Sequence, residues 1–116
     1  HALGGKYDLG HGLLIAVALP YVLEFNARDA GVRDKLARLA RRIGRPDFIA
    51  AVRELKRAVG VPDSFRELGI KADDFAADFE GLVENSLKGS TRVNPVPVSP
   101  DDMRSVLRAI YEGKWQ

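Results

Sequence analysis

Residues 13–23 read LLIAVALPYVL, a run without a single charge. Apolar side chains fall on nearly every face if this run is helical, so it is expected to lie at the centre of a core as a buried helix spanning about Gly12 to Phe25. It has about half of the roughly 20 apolar residues that cross a bilayer. The residues ahead of it carry no basic cluster of the kind that opens a signal peptide. Pro20 falls inside the run, where a missing N–H and a ring clash predict a kink or a local opening. At 116 residues the chain supplies one domain around this helix.

Five further helical segments and no strand follow from the periodicity. The second runs from about Asp29 to Ile43, with Val32, Leu36, Leu39, Ala40 and Ile43 at helical spacing and Gly44 as its cap. The third spans about Asp47 to Val59, with the stripe Phe48, Val52, Leu55 and Val59 ending at Gly60. A short fourth begins at Pro62-Asp63-Ser64, where Ser64 and Glu67 have capping-box spacing, and Gly69 stops it. The fifth, Ala72 to Lys88, carries Phe75, Phe79, Leu82, Val83 and Leu87, and Gly89 ends it. Pro95 and Pro97 mark residues 90–98 as extended. Ser99-Pro100-Asp101-Asp102 opens the last helix with an N-cap, a proline at the first helical position and first-turn acids. Its buried face is Met103, Val106, Leu107, Ile110 and Tyr111. The expectation is an all-α fold, a compact domain of five to six helices around the central apolar one.

Net charge is +2, a small excess for a nucleic-acid binder. No partner nucleic acid and no membrane are therefore expected. The basic run Arg33 to Arg45 contains one acid, Asp34, and reads as the solvated face of an amphipathic helix. The chain has no cysteine, which removes disulfides, thiolate metal sites and a cysteine nucleophile and suits a reducing compartment, the cytoplasm.

The only two histidines, His1 and His11, flank Gly4-Gly5 in HALGGKYDLGHG. Neutral imidazole is the commonest protein metal ligand, so the pair invites a metal reading. On one continuous helix the two would lie about 15 Å apart along the axis and could not share an ion. A metal site takes three or four protein ligands, and beyond the two histidines only Asp8 stands nearby. The alternative is two polar residues at a helix entrance. Gly4-Gly5 lacks the lysine and hydroxyl residue of a phosphate-binding loop and reads as a turn. Lys6 and Tyr7 stand beside the histidines, either against a cofactor or in a solvated loop. Gly12 permits close approach of a backbone or ligand beside His11. Phe25-Asn26 reads as packing plus a terminal turn, Asn94-Pro95 as a linker or a partner-facing turn, and Trp115 as peripheral.

HALGGKYDLGHG followed by AVALPYVLEFN resembles the C-terminal half of iron-containing (group III) alcohol dehydrogenases. VGVPDSFRELGI is similar to that family's short capped segment, and STRVNPVPVSPDDMRSVLRAIYEG to its final loop and helix. The resemblance runs in order over essentially all 116 residues. It implies the helical C-terminal domain of a dehydroquinate synthase-like fold, whose partner is an N-terminal α/β dinucleotide-binding domain. It implies NAD(P) and a divalent ion, Fe2+ or Zn2+, acting on a small alcohol or aldehyde substrate, in a homo-oligomer. By motif, His11 matches the last of four metal ligands. His1 matches a histidine near the metal and nicotinamide, with a catalytic, cofactor-facing role rather than a ligand's. The other three ligands, an aspartate and two histidines, match positions ahead of His1.

On this reading the chain is a fragment, the helical domain without its dinucleotide domain, and alone is expected to hold no cofactor stably and to be inactive. The alternative is a non-catalytic helical interaction module or truncated gene product that packs against partner chains. A basic helical nucleic-acid binder is a third reading.

Overall fold

The computed structural model describes residues 11–88 and 94–115, with His11 placed by its backbone alone. Six α-helices follow in order, with no strand among the described residues: α1 His11–Asn26, α2 Ala30–Arg42, α3 Phe48–Ala58, α4 Phe65–Leu68, α5 Ala72–Lys88 and α6 Pro100–Glu112. The all-helical expectation holds, and the helix ends fall within two residues of those read from caps and periodicity. Gly44 and Gly60 adopt φ of +69° and +80°, where a side chain would be strained, and there α2 and α3 stop. Gly89 and residues 90–93 lie outside the described residues, while residues 94–98 form neither helix nor strand, as the prolines require.

Local side chains start the helices. Asp29 and Asp47 accept from the backbone N–H groups of Val32 and Ala50, each at 3.0 Å. Ser64 accepts from Glu67 N–H at 3.1 Å, but the Glu67 carboxylate reaches Asp63 N–H rather than that of Ser64. The expected reciprocal box at α4 is thus half formed, with its return bond displaced by one residue. The complete box is at α6, where Asp102 N–H donates to Ser99 Oγ at 3.0 Å and Ser99 N–H to Asp102 Oδ2 at 3.1 Å.

The Ser99 backbone N–H and then the Ser99 hydroxyl hold the Asp102 carboxyl below its ordinary value of 3.8, aided by Arg28 at 3.6 Å. A lowered folded-state value means stability that is complete above pH 3.8 and lost as pH falls through the lowered value. Asp102→Asn should flatten that acid limb in urea titrations, and Ser99→Ala should cost about 1 kcal/mol at neutral pH. Parallel acid limbs for Asp102→Asn and the parent would contradict the assignment.

The core joins Leu14, Val17, Tyr21 and Phe25 of α1 to Phe65, Ile70, Phe75, Leu82 and Val83, and to Met103, Val106, Leu107, Ala109, Ile110 and Tyr111 of α6. Phe75 stacks on Tyr111 with centroids 4.4 Å apart, and the Tyr111 hydroxyl donates to the Ile70 carbonyl at 2.8 Å. Two expectations change here. First, α1 is not the sole hub: α6 packs against α1, α4 and α5, whereas α1 packs against α6 and α3. Second, α1 buries one side only, and on the other Ile15 is 50% exposed and Leu19 38%. The helix continues through Pro20, whose side chain is fully buried.

Candidate functional site

The opening stretch, with His1, Gly4-Gly5, Lys6, Tyr7 and Asp8, lies outside the described residues. His11 is the first residue of α1. Position 11 is in helical register with Ile15, Leu19 and Val22, at spacings of four, four and three. All three are exposed, as is Leu13. Position 11 therefore stands at the edge of the bare face, which is about 16 Å long, with Leu14 and Ala18 of the core side three and seven residues on. Gly12 beside it is exposed, and a Cβ built there would meet nothing within 4 Å. The space for close approach expected at this glycine is open.

The opposite face fixes α1 firmly. Leu14, Val17, Tyr21 and Phe25, at spacings of three, four and four, enter the core. The Tyr21 hydroxyl donates to the Asp63 carbonyl at 2.8 Å. Burial pushes the Tyr21 phenol up, and Arg53, whose guanidinium lies 5.6 Å from the ring centroid, pulls it partly back. Glu24 receives Arg53 and the Trp115 indole N–H, and Trp115 packs against the core. Trp115 is thus part of the clamp on α1 rather than peripheral. Asn26 is buried and exchanges two amide hydrogen bonds with Asn94, of 3.1 and 2.6 Å. Asn94 also donates to the Val96 carbonyl at 2.9 Å, so the stretch read as a linker is tied to the end of α1.

Lys56 is the residue the sequence reading missed. It is 6% exposed, and its Nζ donates to the Val17 carbonyl at 3.2 Å. The carbonyl that Pro20 leaves without a helical donor is that of Ala16; Lys56 bonds the next one, Val17, from α3. Burial pushes the Lys56 ammonium down from its ordinary value, and Asp63 partly restores it. The expected stripe of α3 is rotated accordingly. Leu55 and Val59 are 64% and 65% exposed, while Phe48, Val52 and Lys56 turn inward. The aliphatic stem of lysine fills an apolar position as a leucine would, and hydropathy counts it as surface. On α2, likewise, Leu39 and Ile43 of the expected stripe are 41% and 52% exposed, and Ala40 alone is buried.

No group of three His, Cys, Asp or Glu side chains among the described residues could hold a metal. A complete centre is absent there, and α1 offers one donor position at its start. An open cleft between α5 and α6 is lined by Phe75, Phe79 and Tyr111 beneath Arg66 and Arg108. Its polar groups are already engaged: Arg66 pairs with Glu112 at 2.6 Å, and Arg108 lies over the Phe79 ring. No helix among the described residues is long and apolar enough to cross a membrane.

The family model described as "Fe-containing alcohol dehydrogenase family, C-terminal" matches residues 1–111. Alcohol dehydrogenase 4 of Saccharomyces cerevisiae is 31% identical over 97% of this chain and 30% of its own length. Maleylacetate reductase of Pseudomonas knackmussii is 33% identical over 98% of this chain and 30% of its own. The crystal structure of an iron-containing alcohol dehydrogenase from Corynebacterium glutamicum matches at a TM-score of 0.76 and 28% identity, over 96% of this chain and 30% of that one. The chain thus spans about 30% of the length of the relatives it matches.

Proposed function

The chain belongs to the iron-containing alcohol dehydrogenase family, and from that premise we propose that it is the helical, metal-facing domain of an NAD(P)-dependent dehydrogenase of small alcohols or aldehydes. The observation that carries the reading is the register of α1. Its bare apolar stripe, Ile15, Leu19 and Val22, borders position 11, where the resemblance puts a metal ligand. A partner surface that covers the stripe also encloses position 11 and removes water from it. The N-terminal dinucleotide-binding domain is that partner. The printed names of relatives support the substrate class: a "NADPH-dependent butanol dehydrogenase" of Clostridium saccharobutylicum and a "1,3-propanediol dehydrogenase" of Klebsiella pneumoniae.

Each residue then has a distinct task. His11 supplies one neutral imidazole of a four-ligand set, with the remaining ligands ahead of this stretch. Lys56, Tyr21 and Glu24 hold α1 by its other face and Asn26 ties down its C-terminal end, so that the donor position is fixed rather than sought. By the resemblance, His1 would serve in substrate or proton handling near the nicotinamide. An ion held by the ligand set, Fe2+ or Zn2+, would supply Lewis-acid polarisation of a substrate oxygen, and NAD(P) would supply the hydride donor or acceptor. Absence of cysteine and of a membrane-crossing helix among the described residues supports a cytoplasmic setting.

No group of three His, Cys, Asp or Glu among the described residues could hold a metal, so the site needs ligands from outside them. The purified 116-residue chain should show no NAD(P)-dependent alcohol oxidation with iron or zinc added, and the same residues joined to the dinucleotide domain should show it. Turnover by the chain alone would refute the division of labour, and an inactive joined protein that binds both cofactor and metal would refute the function.

A further inference from the structure

Charge is segregated along the chain far more than its net +2 suggests. Residues 28–57 hold ten basic and four acidic side chains, a net of +6, while the remaining residues hold eight and twelve, a net of −4. The positive share is concentrated on α2, where Lys35, Arg38, Arg41 and Arg42 are exposed and carry no ion pair among the described residues. Lys35, Arg38 and Arg42 follow at spacings of three and four, one row over two turns, with Arg41 beside it. The negative share is concentrated on α5, which has no basic residue before Lys88. There Asp73, Glu80 and Glu84 form one row at spacings of seven and four, flanked by Asp74. Glu80 is taken by Arg104 at 3.0 Å, but Asp73, Asp74 and Glu84 carry no ion pair among the described residues.

We propose that the basic face of α2 docks on the acidic face of α5 in a second copy of this chain. The two faces belong to different packing pairs, α2 mainly with α3 and α5 mainly with α6, so both stay open in one molecule. Their dimensions agree: Lys35 to Arg42 rises about 10 Å and Asp73 to Glu84 about 16 Å, so the basic row fits within the acidic one. A polyanion such as nucleic acid would meet the same basic face, but it would also meet the −4 of the rest of the chain. A second copy brings the complementary row at equal concentration. Engaged reciprocally, α2 on α5 and α5 on α2, the two faces close a two-fold dimer; engaged one per partner, they build rings or open chains. Exposed ion pairs are individually weak and screened by salt, so the association is weak and of electrostatic sign. The inference rests on these charges alone and not on the metal or the substrate.

Sedimentation of the 116-residue chain at two ionic strengths gives the first reading. The apparent dissociation constant should rise at least about tenfold between about 0.02 M and 0.3 M salt. Charge reversal gives the second. Arg38→Glu with Arg41→Glu should make the chain monomeric, and so should Asp73→Lys with Glu84→Lys. An equimolar mixture of the two double variants should associate again, because each reversed face then finds a reversed partner. All four positions are exposed, and the far-ultraviolet helix signal checks that the variants fold. Association that strengthens with salt would place the contact on the bare stripe of α1 and overturn the proposal. So would a monomeric parent in low salt, or reversed variants that fail to associate when mixed.

Discussion

The Phe65→Ala variant should lose about 3–5 kcal/mol of folding free energy, against about 5–15 kcal/mol in all for a typical domain. Phe65 is 1% exposed and opens α4, a helix of four residues. So short a helix has almost no stability of its own and exists because its aromatic anchor is packed. The Phe65 carbonyl also accepts from Ile70 N–H at 3.2 Å, in the turn that leads into α5. Truncation removes the contacts of a whole ring and leaves a cavity between α4 and α6. In urea the midpoint should fall by about 2 M at an ordinary slope for this length. Leu55→Ala is the contrast. Leu55 belongs to the apolar stripe that the sequence suggests, yet it is 64% exposed, and its truncation should change stability by less than about 0.5 kcal/mol. Equal losses for the two variants would mean that α3 keeps the register of the sequence stripe and that Lys56 is not the residue turned inward.

That contrast shows where the fold was legible. Helix starts and stops are local events, and Asp29, Asp47, Ser99, Gly44 and Gly60 each mark theirs by short-range chemistry that a sequence displays. The rotation of α3 depends instead on a buried lysine and on a carbonyl beside Pro20 in another helix, 39 residues away. The Asn26–Asn94 exchange spans 68 residues and has no periodic signature at all. The bare face of α1 has a different cause. Hydropathy says that a helix must be covered and never by what, so an all-apolar run reads as central whether its second side meets this chain or a different one.

The candidate site was legible to a different degree. The glycine-rich stretch with His1 and His11 points to the family through its motif, and the family model covers both histidines. Composition and spacing alone favoured two plain polar residues over a metal pair. The structure adds the register of position 11 with Ile15, Leu19 and Val22, which spacing contains but which acquires meaning only once that face is found bare. Lys56 escaped because it acts through a backbone carbonyl of another helix, and the Glu24 and Asn26 contacts because their partners are distant in the chain.

The second large effect is on metal retention. Loss of an outer-sphere partner of a metal site typically costs about 10–100-fold in affinity, and loss of a direct ligand should cost at least the upper end of that range. His1→Ala, in contrast, should leave the metal in place and lower turnover, since its expected role is toward substrate and nicotinamide. The direct measurement is the iron or zinc content, after dialysis, of this chain joined to its dinucleotide-binding domain, in the parent, His11→Ala and His1→Ala forms. About one ion per chain is expected in the parent and in His1→Ala, and almost none in His11→Ala. Full metal content in His11→Ala would contradict a ligand at position 11.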